Sequence, residues 1–198
     1  IRAHHGRGSV AWDAFARLVP GIVVGSLLGA VIADALPGAD LELLFGLFEL
    51  AVAAHMLRGG RPAPHRVLPG APVLAAGGLV IGTVSAVVGI GGGTLTVPFL
   101  VWSNVEVRRA VGTSAACGLP IALAGAAGFV AVGWDAPDLP AWSVGHVYLP
   151  AVAGIVAASV LAAPLGARIA HRVPGATLQR FFALFLLAVG AKMIWGAW

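Results

Sequence analysis

Val80–Pro98 reads VIGTVSAVVGIGGGTLTVP, and the fold turns on how this stretch is taken. It is apolar enough for lipid, yet Gly89, Gly91, Gly92 and Gly93 crowd into five positions, followed by Thr94, Thr96 and Pro98. Glycine weakens a helix interior by roughly 1 kcal/mol per residue, and proline removes a backbone donor, so a continuous helix is not expected here. A broken helix within a bilayer is tolerated only where the freed backbone groups meet protein or a watery cavity. Discontinuous helices of this kind form the substrate sites of many secondary transporters.

The surrounding composition demands a membrane. The 198 residues are 59% hydrophobic and 10% charged, with a mean hydropathy of +0.95, whereas soluble domains carry about a quarter charged residues. The basic balance does not point to nucleic acid, because the arginines stand singly or in pairs between apolar segments, as topology signals do. A single cysteine, Cys117, rules out an internal disulfide or a cysteine-based metal cluster. The chain starts at Ile1 rather than Met and shows no signal peptide, which leads us to expect an incomplete N-terminus. No cofactor or metal is expected: the adjacent His4 and His5 lack a spaced third ligand and read as a solvated loop.

Working outward, the expected spans are Leu18–Ala33, Leu43–Leu57, the broken Pro69–Trp102, Ala110–Gly133, Val144–Gly166 and Phe181–Trp198. Gly21, Gly25 and Gly29 recur at spacing four and mark a face for close helix approach. The connecting stretches alternate in charge. Residues 34–42 and 134–142 are acidic, whereas residues 1–17, 58–66, 103–109 and 168–180 are basic.

Residues 29–57 laid over 166–194 match at sixteen of 29 positions, an offset of 137. Asp34, Asp40 and Glu42 of the first copy become His171, Thr177 and Gln179, while Val31, Ala35 and Leu43 become Arg168, Arg172 and Arg180. Positive charge marks the cytoplasmic side, so the two copies are expected to be inverted. All basic stretches then share one side only if the chain leaves and returns between Arg66 and Arg108. The expected architecture is an all-α transmembrane bundle with broken or re-entrant helices and inverted repeats. Residues 1–66 are the C-terminal part of a first repeat and residues 67–198 a second.

Several residues are candidates for chemistry. The run Gly89, Gly91, Gly92, Gly93 lacks the Lys-Ser/Thr of a phosphate-binding loop and the soluble context of a dinucleotide fold. Two readings stay open for it: close helix packing, or exposed amides facing an anion. Thr113 and Ser114 open a helix just after Arg108 and Arg109, where hydroxyls and unpaired amides suit an anion, although, taken alone, capping or bonding within their own helix explains them better. Arg108 and Arg109 are entrance charges or topology anchors. Glu49 is the one carboxylate in mid-span, costly there by roughly 3 kcal/mol, and its repeat counterpart is Leu186, so it is either a proton-coupling group or a structural partner. Cys117 reads as a small packing residue, and Lys192 as a side chain snorkelling to the interface.

Together, GTVSAVVGIGGGTLTVPFLV, AVGTSAACGLP and the paired tails PGADLELLFGLFELAVAAHML and PGATLQRFFALFLLAVGAKMI resemble the TauE/SafE family of sulfite-exporter-like membrane permeases. Members have two halves, each opening with such a glycine motif, and only the second half's copy is present here. The resemblance implies transport of small sulfur-containing or related organic anions across a bacterial inner membrane. Its motifs place substrate contacts at Gly89, Gly91, Gly92, Gly93, Thr94, Pro98, Thr113 and Ser114. The expected partners are a small anion, the lipid bilayer and a proton as coupling ion, with no nucleic acid and no expectation for oligomeric state. A non-transporting scaffold subunit is the competing class. An intramembrane enzyme has few candidate groups, because the deep residues are Gly, Ala, Ser and Thr.

Overall fold

The computed structural model describes residues 10–57, 68–172 and 175–197. Seven helices follow one another: α1 Trp12–Ala35, α2 Gly38–Leu57, α3 Ala71–Val88, α4 Gly93–Trp102, α5 Val107–Val132, α6 Leu149–Arg172 and α7 Gly175–Gly196. Two-residue strands, β1 Ser143–Val144 and β2 Val147–Tyr148, form a small antiparallel hairpin before α6. His4, His5 and the basic stretch 58–66 lie outside the described residues, as do the side chains of Arg108, Arg168 and Arg172. Packing groups the chain into two compact units, Ile1–Leu36 with Arg61–Val132, and Pro37–Gly60 with Gly133–Trp198.

The glycine run breaks the helix as its composition requires. α3 stops at Val88; the Gly89 N–H still donates to the Ser85 carbonyl, and the left-handed conformation of Gly89 (φ 70°) turns the Ile90 N–H back onto the same carbonyl at 3.0 Å. After three further residues the short α4 begins. Its Phe99 ring reaches the backbone of Gly77 on α3. On a straight helix these residues would stand about 33 Å apart at 1.5 Å per residue, so the chain has doubled back. The pair is one full span followed by a short return.

In the first unit α1 and α3 run side by side in the same direction. Gly21 faces Ala75 and Leu79, Gly25 faces Leu79 and Thr83, and Gly29 faces Thr83 and Ala86; Gly78 and Gly82 return the contact onto Leu18 and Ile22. Glycines on both helices let backbone meet backbone, the close approach that membrane helices use in place of a hydrophobic drive. α5 lies parallel to α1 too, meeting Ala11 through Thr113 at one end and Ala30 through Gly128 at the other. Leu18, Ile22, Leu74 and Leu100 are fully buried in the core of this unit. Because the three long helices are parallel, Arg17 and Arg109 stand at the same end, near the starts of α1 and α5.

In the second unit α2 and α7 are the two homologous copies, and they pack antiparallel. Glu42 lies near Gly196, while Gly46 lies against Gly190 and Ile194. The buried residues of α2 are Gly46, Glu49 and Ala53; shifted by 137 they become Ala183, Leu186 and Gly190, all buried on α7. A Cβ on Gly46 would sit 2.8 Å from the Gly190 carbonyl, and one on Gly190 would sit 2.9 Å from the Gly46 carbonyl. Antiparallel copies sharing one self-matching face are what an inverted repeat produces.

Helix ends differ from the sequence expectation in both directions. α1 starts at Trp12 rather than Leu18, because an Asp13–Arg17 ion pair of 2.8 Å supports a polar first turn. α2 starts at Gly38 inside the acidic stretch, where the Pro37 carbonyl accepts from Asp40 and Leu41 and the Asp40 carboxylate suits the positive helix start. Conversely, α6 starts at Leu149 rather than Val144, since Gly145 (φ 55°) turns the hairpin first.

Candidate functional site

The site is built at the start of α4. Gly92 is its N-cap and supplies no side chain, and the first main-chain bond of the helix runs from Thr96 N–H to the Gly92 carbonyl at 2.8 Å. The amides of Gly93, Thr94 and Leu95 precede that bond and have no acceptor within their own helix. They carry the partial positive charge of the helix start. Pro98 adds to the local polarity, since its missing N–H leaves the Thr94 carbonyl without its helical donor.

Two hydroxyls lie close to Gly92 and Gly93. A Cβ on Gly92 would lie 3.3 Å from Thr96 Oγ1, and a Cβ on Gly93 would lie 3.8 Å from Ser114 Oγ of α5. Thr96 is wholly buried and Ser114 is 3% exposed, yet neither hydroxyl has a hydrogen-bond partner among the described residues. Serine and threonine in membrane helices usually satisfy themselves on the carbonyl four residues back, as Thr83 does on Leu79 at 2.9 Å. An unpaired buried hydroxyl costs about 1–3 kcal/mol, so two beside an uncapped helix start form an arrangement suited to an oxyanion.

The depth follows from α5. Gly92 sits against Ile121 Cδ1 (2.7 Å from a built Cβ) and Cys117 Cβ (3.9 Å), which straddle the middle of a 26-residue helix. That places the break roughly 15–22 Å from either end of α5 at 1.5 Å per residue. From the break a cleft of about 250 Å³ extends along the second half of α5, walled by Ser85, Gly89, Gly91, Gly118, Gly125 and Phe129.

Thr113, Ser114's neighbour, is engaged otherwise. Its hydroxyl donates to the Arg109 carbonyl at 2.7 Å and accepts from Ala11 N–H at 2.8 Å, tying the start of α1 to α5. Arg109 is exposed one turn earlier and does not line the cleft. Glu49 belongs to the second unit, where it is 8% exposed against Gly190, with Oε2 unpaired among the described residues. The candidates thus separate into a cluster of Gly92, Gly93, Thr94 and Ser114, a cleft wall at Gly89 and Gly91, a helix tie at Thr113, and a carboxyl at the α2–α7 crossing. Thr96, Ser85 and Ser26, whose buried hydroxyls are also unpaired among the described residues, were not singled out from sequence as site residues.

Comparison with known proteins bears on the same chain length. A family model described as sulfite exporter TauE/SafE matches residues 1–193. A probable membrane transporter protein from Haemophilus influenzae is 33% identical over 193 residues, covering 96% of this chain and 72% of the relative. Another from Xylella fastidiosa is 30% identical over 205 aligned positions, covering 99% of this chain and 74% of the relative. No solved structure matches.

Proposed function

Because this chain belongs to the sulfite exporter TauE/SafE family, we propose that it is a secondary permease for small sulfur-containing or organic anions, such as sulfite or sulfonates, in a bacterial inner membrane. It is an integral membrane transporter by family; the anion, the site and the bacterial inner membrane are the proposal. The observation that carries it is the pair of unpaired buried hydroxyls, Thr96 and Ser114, beside the uncapped start of α4. Amides and hydroxyls there donate to the anion's oxygens, and Gly92 and Gly93 let it approach the backbone without a Cβ in the way. The parallel with other transporters is direct: half-helix starts at mid-depth receive anionic groups. A proton moves with the anion, held by Glu49, whose buried carboxyl has Oε2 without a partner among the described residues.

The test is thermal unfolding of the purified protein with sulfite, thiosulfate, methanesulfonate and chloride. A ligand at 100 times its Kd stabilises by about 2.7 kcal/mol, enough to read as a shift of several degrees. Sulfite or the sulfonate is expected to stabilise the wild type and to lose the effect in Thr96→Val and Ser114→Ala. Equal response to chloride, or a shift undiminished in both variants, rejects the site.

A further inference from the structure

α1 is deeply seated in the first unit, with Ala14, Leu18, Ile22 and Ala30 at 0% exposure. α6 is the reverse: every residue from Leu149 to Ala162 is exposed, Leu161 at 78%. The two helices are nonetheless copies. The offset of 137 that relates residues 29–57 to 166–194 carries Trp12–Ala35 onto residues 149–172, the bounds of α6. It also carries Gly38, where α2 starts, onto Gly175, where α7 starts. Nine of the 24 pairs between α1 and α6 are identical, Val19 with Val156, Gly29 with Gly166 and Ile32 with Ile169 among them.

The copy keeps the division of α1 into a face of small residues and a face of large ones. Gly21, Gly25 and Gly29, which meet the backbone of α3, recur as Ala158, Ala162 and Gly166. Ala30, which meets Gly128 of α5, recurs as Ala167. Val24, Leu28 and Ile32, exposed on α1, recur as Leu161, Leu165 and Ile169. A helix that met lipid on all sides would need no such division, because acyl chains are as apolar as leucine, whereas small residues on one face admit a second helix. On α1 that place is taken by α3 and α5. Positions 137 earlier than theirs fall before Ile1. About a quarter of each bacterial relative's length lies outside its match to this chain, more than the stretch Ala71–Val132 that holds α3, α4 and α5.

We propose that the α6 face bearing Ala158, Ala162 and Gly166 is covered by a segment that copies α3 and α5 and precedes Ile1 in the full-length polypeptide. α1, from the first repeat, packs into the broken-helix core of the second; α6 completes the core of the first, so the inverted halves exchange one long helix each. The seam on α6 is the wider of the two, since methyl groups at Ala158 and Ala162 fill the space where Gly21 and Gly25 admit the Ala75 and Leu79 carbonyls. This goes beyond the anion site at α4 and does not depend on which anion is carried.

The experiment introduces photo-leucine, a small diazirine side chain, in place of Ala158, of Ala162 or of Leu161 in the full-length protein in its membrane, and maps the adducts by peptide mass spectrometry after irradiation. A peptide from before Ile1 is the expected adduct at Ala158 and Ala162, and at Leu161 that adduct is expected to be lost in favour of lipid. Melting supplies a second readout. Ala162→Leu overpacks the seam and is expected to lower the melting temperature by about 2–4 °C or more, whereas Ala153→Leu, half a turn away on the opposite face, is expected to melt as wild type. An adduct within residues 1–198 at Ala158 and Ala162, whether from the same molecule or from a second copy, overturns the proposal, as do lipid adducts alone at those positions. Wild-type melting of Ala162→Leu overturns it too.

Discussion

The ring of Phe99 rests in the notch left by Gly77, its Cζ 2.7 Å from where a Cβ would be built on that glycine. This contact seats the short α4 against α3 and so holds the helix break open at depth. Phe99→Ala removes a half-buried aromatic and is expected to cost about 2 kcal/mol of stability. Gly77→Val, which pushes the ring out, is expected to lower melting at least as much; unchanged melting in both variants, followed by circular dichroism, argues against a seated α4.

Neighbouring hydroxyls on α5 are expected to respond in opposite senses. Thr113→Val leaves the buried Ala11 N–H without its acceptor and is expected to cost about 1–3 kcal/mol. Ser114→Ala and Thr96→Val remove hydroxyls that have no partner among the described residues, so the ligand-free protein is expected to melt at the same temperature or higher. Thermal melts of the three variants side by side check this, and a destabilised Ser114→Ala shows that its hydroxyl is structurally paired.

The α1–α3 contact admits no side chain. Gly25→Leu places carbon into the backbone of Leu79 and Thr83, and overpacking of this kind costs about 1–3 kcal/mol or more. Loss of monodisperse protein in size-exclusion chromatography is the expected result, and Gly38→Ala, where a Cβ meets nothing within 4 Å, is the control that is expected to behave as wild type.

Glu49 separates stability from coupling. Glu49→Leu installs the residue its repeat counterpart Leu186 already has, replacing a buried carboxyl by carbon, and is expected to raise the melting temperature. Glu49→Gln keeps the shape and removes the titration. Uptake into vesicles is expected to lose its pH dependence in both, and a pH profile identical to wild type removes Glu49 from the transport cycle.

The break at Gly89–Gly93 was legible because glycine and proline act locally, through conformational freedom and a lost donor. The inversion of the copies was legible from where Arg168, Arg172 and Arg180 replace uncharged residues, and the antiparallel α2–α7 pair agrees with it. Gly21, Gly25 and Gly29 announced a packing face by spacing alone, although their partners Gly78 and Gly82, at the same spacing, went unread. The hydroxyls were a different matter. Thr83 and Ser103 bond the carbonyl four residues back, whereas Ser26, Ser85, Thr96 and Ser114 bond nothing among the described residues. Which of the two a side chain does depends on the surfaces brought against it, and no local pattern encodes that.

The ten residues of α4 have a consequence for biogenesis. Their return stroke alone lets α5 enter the bilayer in the same sense as α3, so this segment sets the parity of the whole downstream chain. Excising it would not be a local lesion: α5 would thread the other way, and an inserting ribosome–translocon pair would be left to choose between hauling the arginines that follow across the bilayer and abandoning a span.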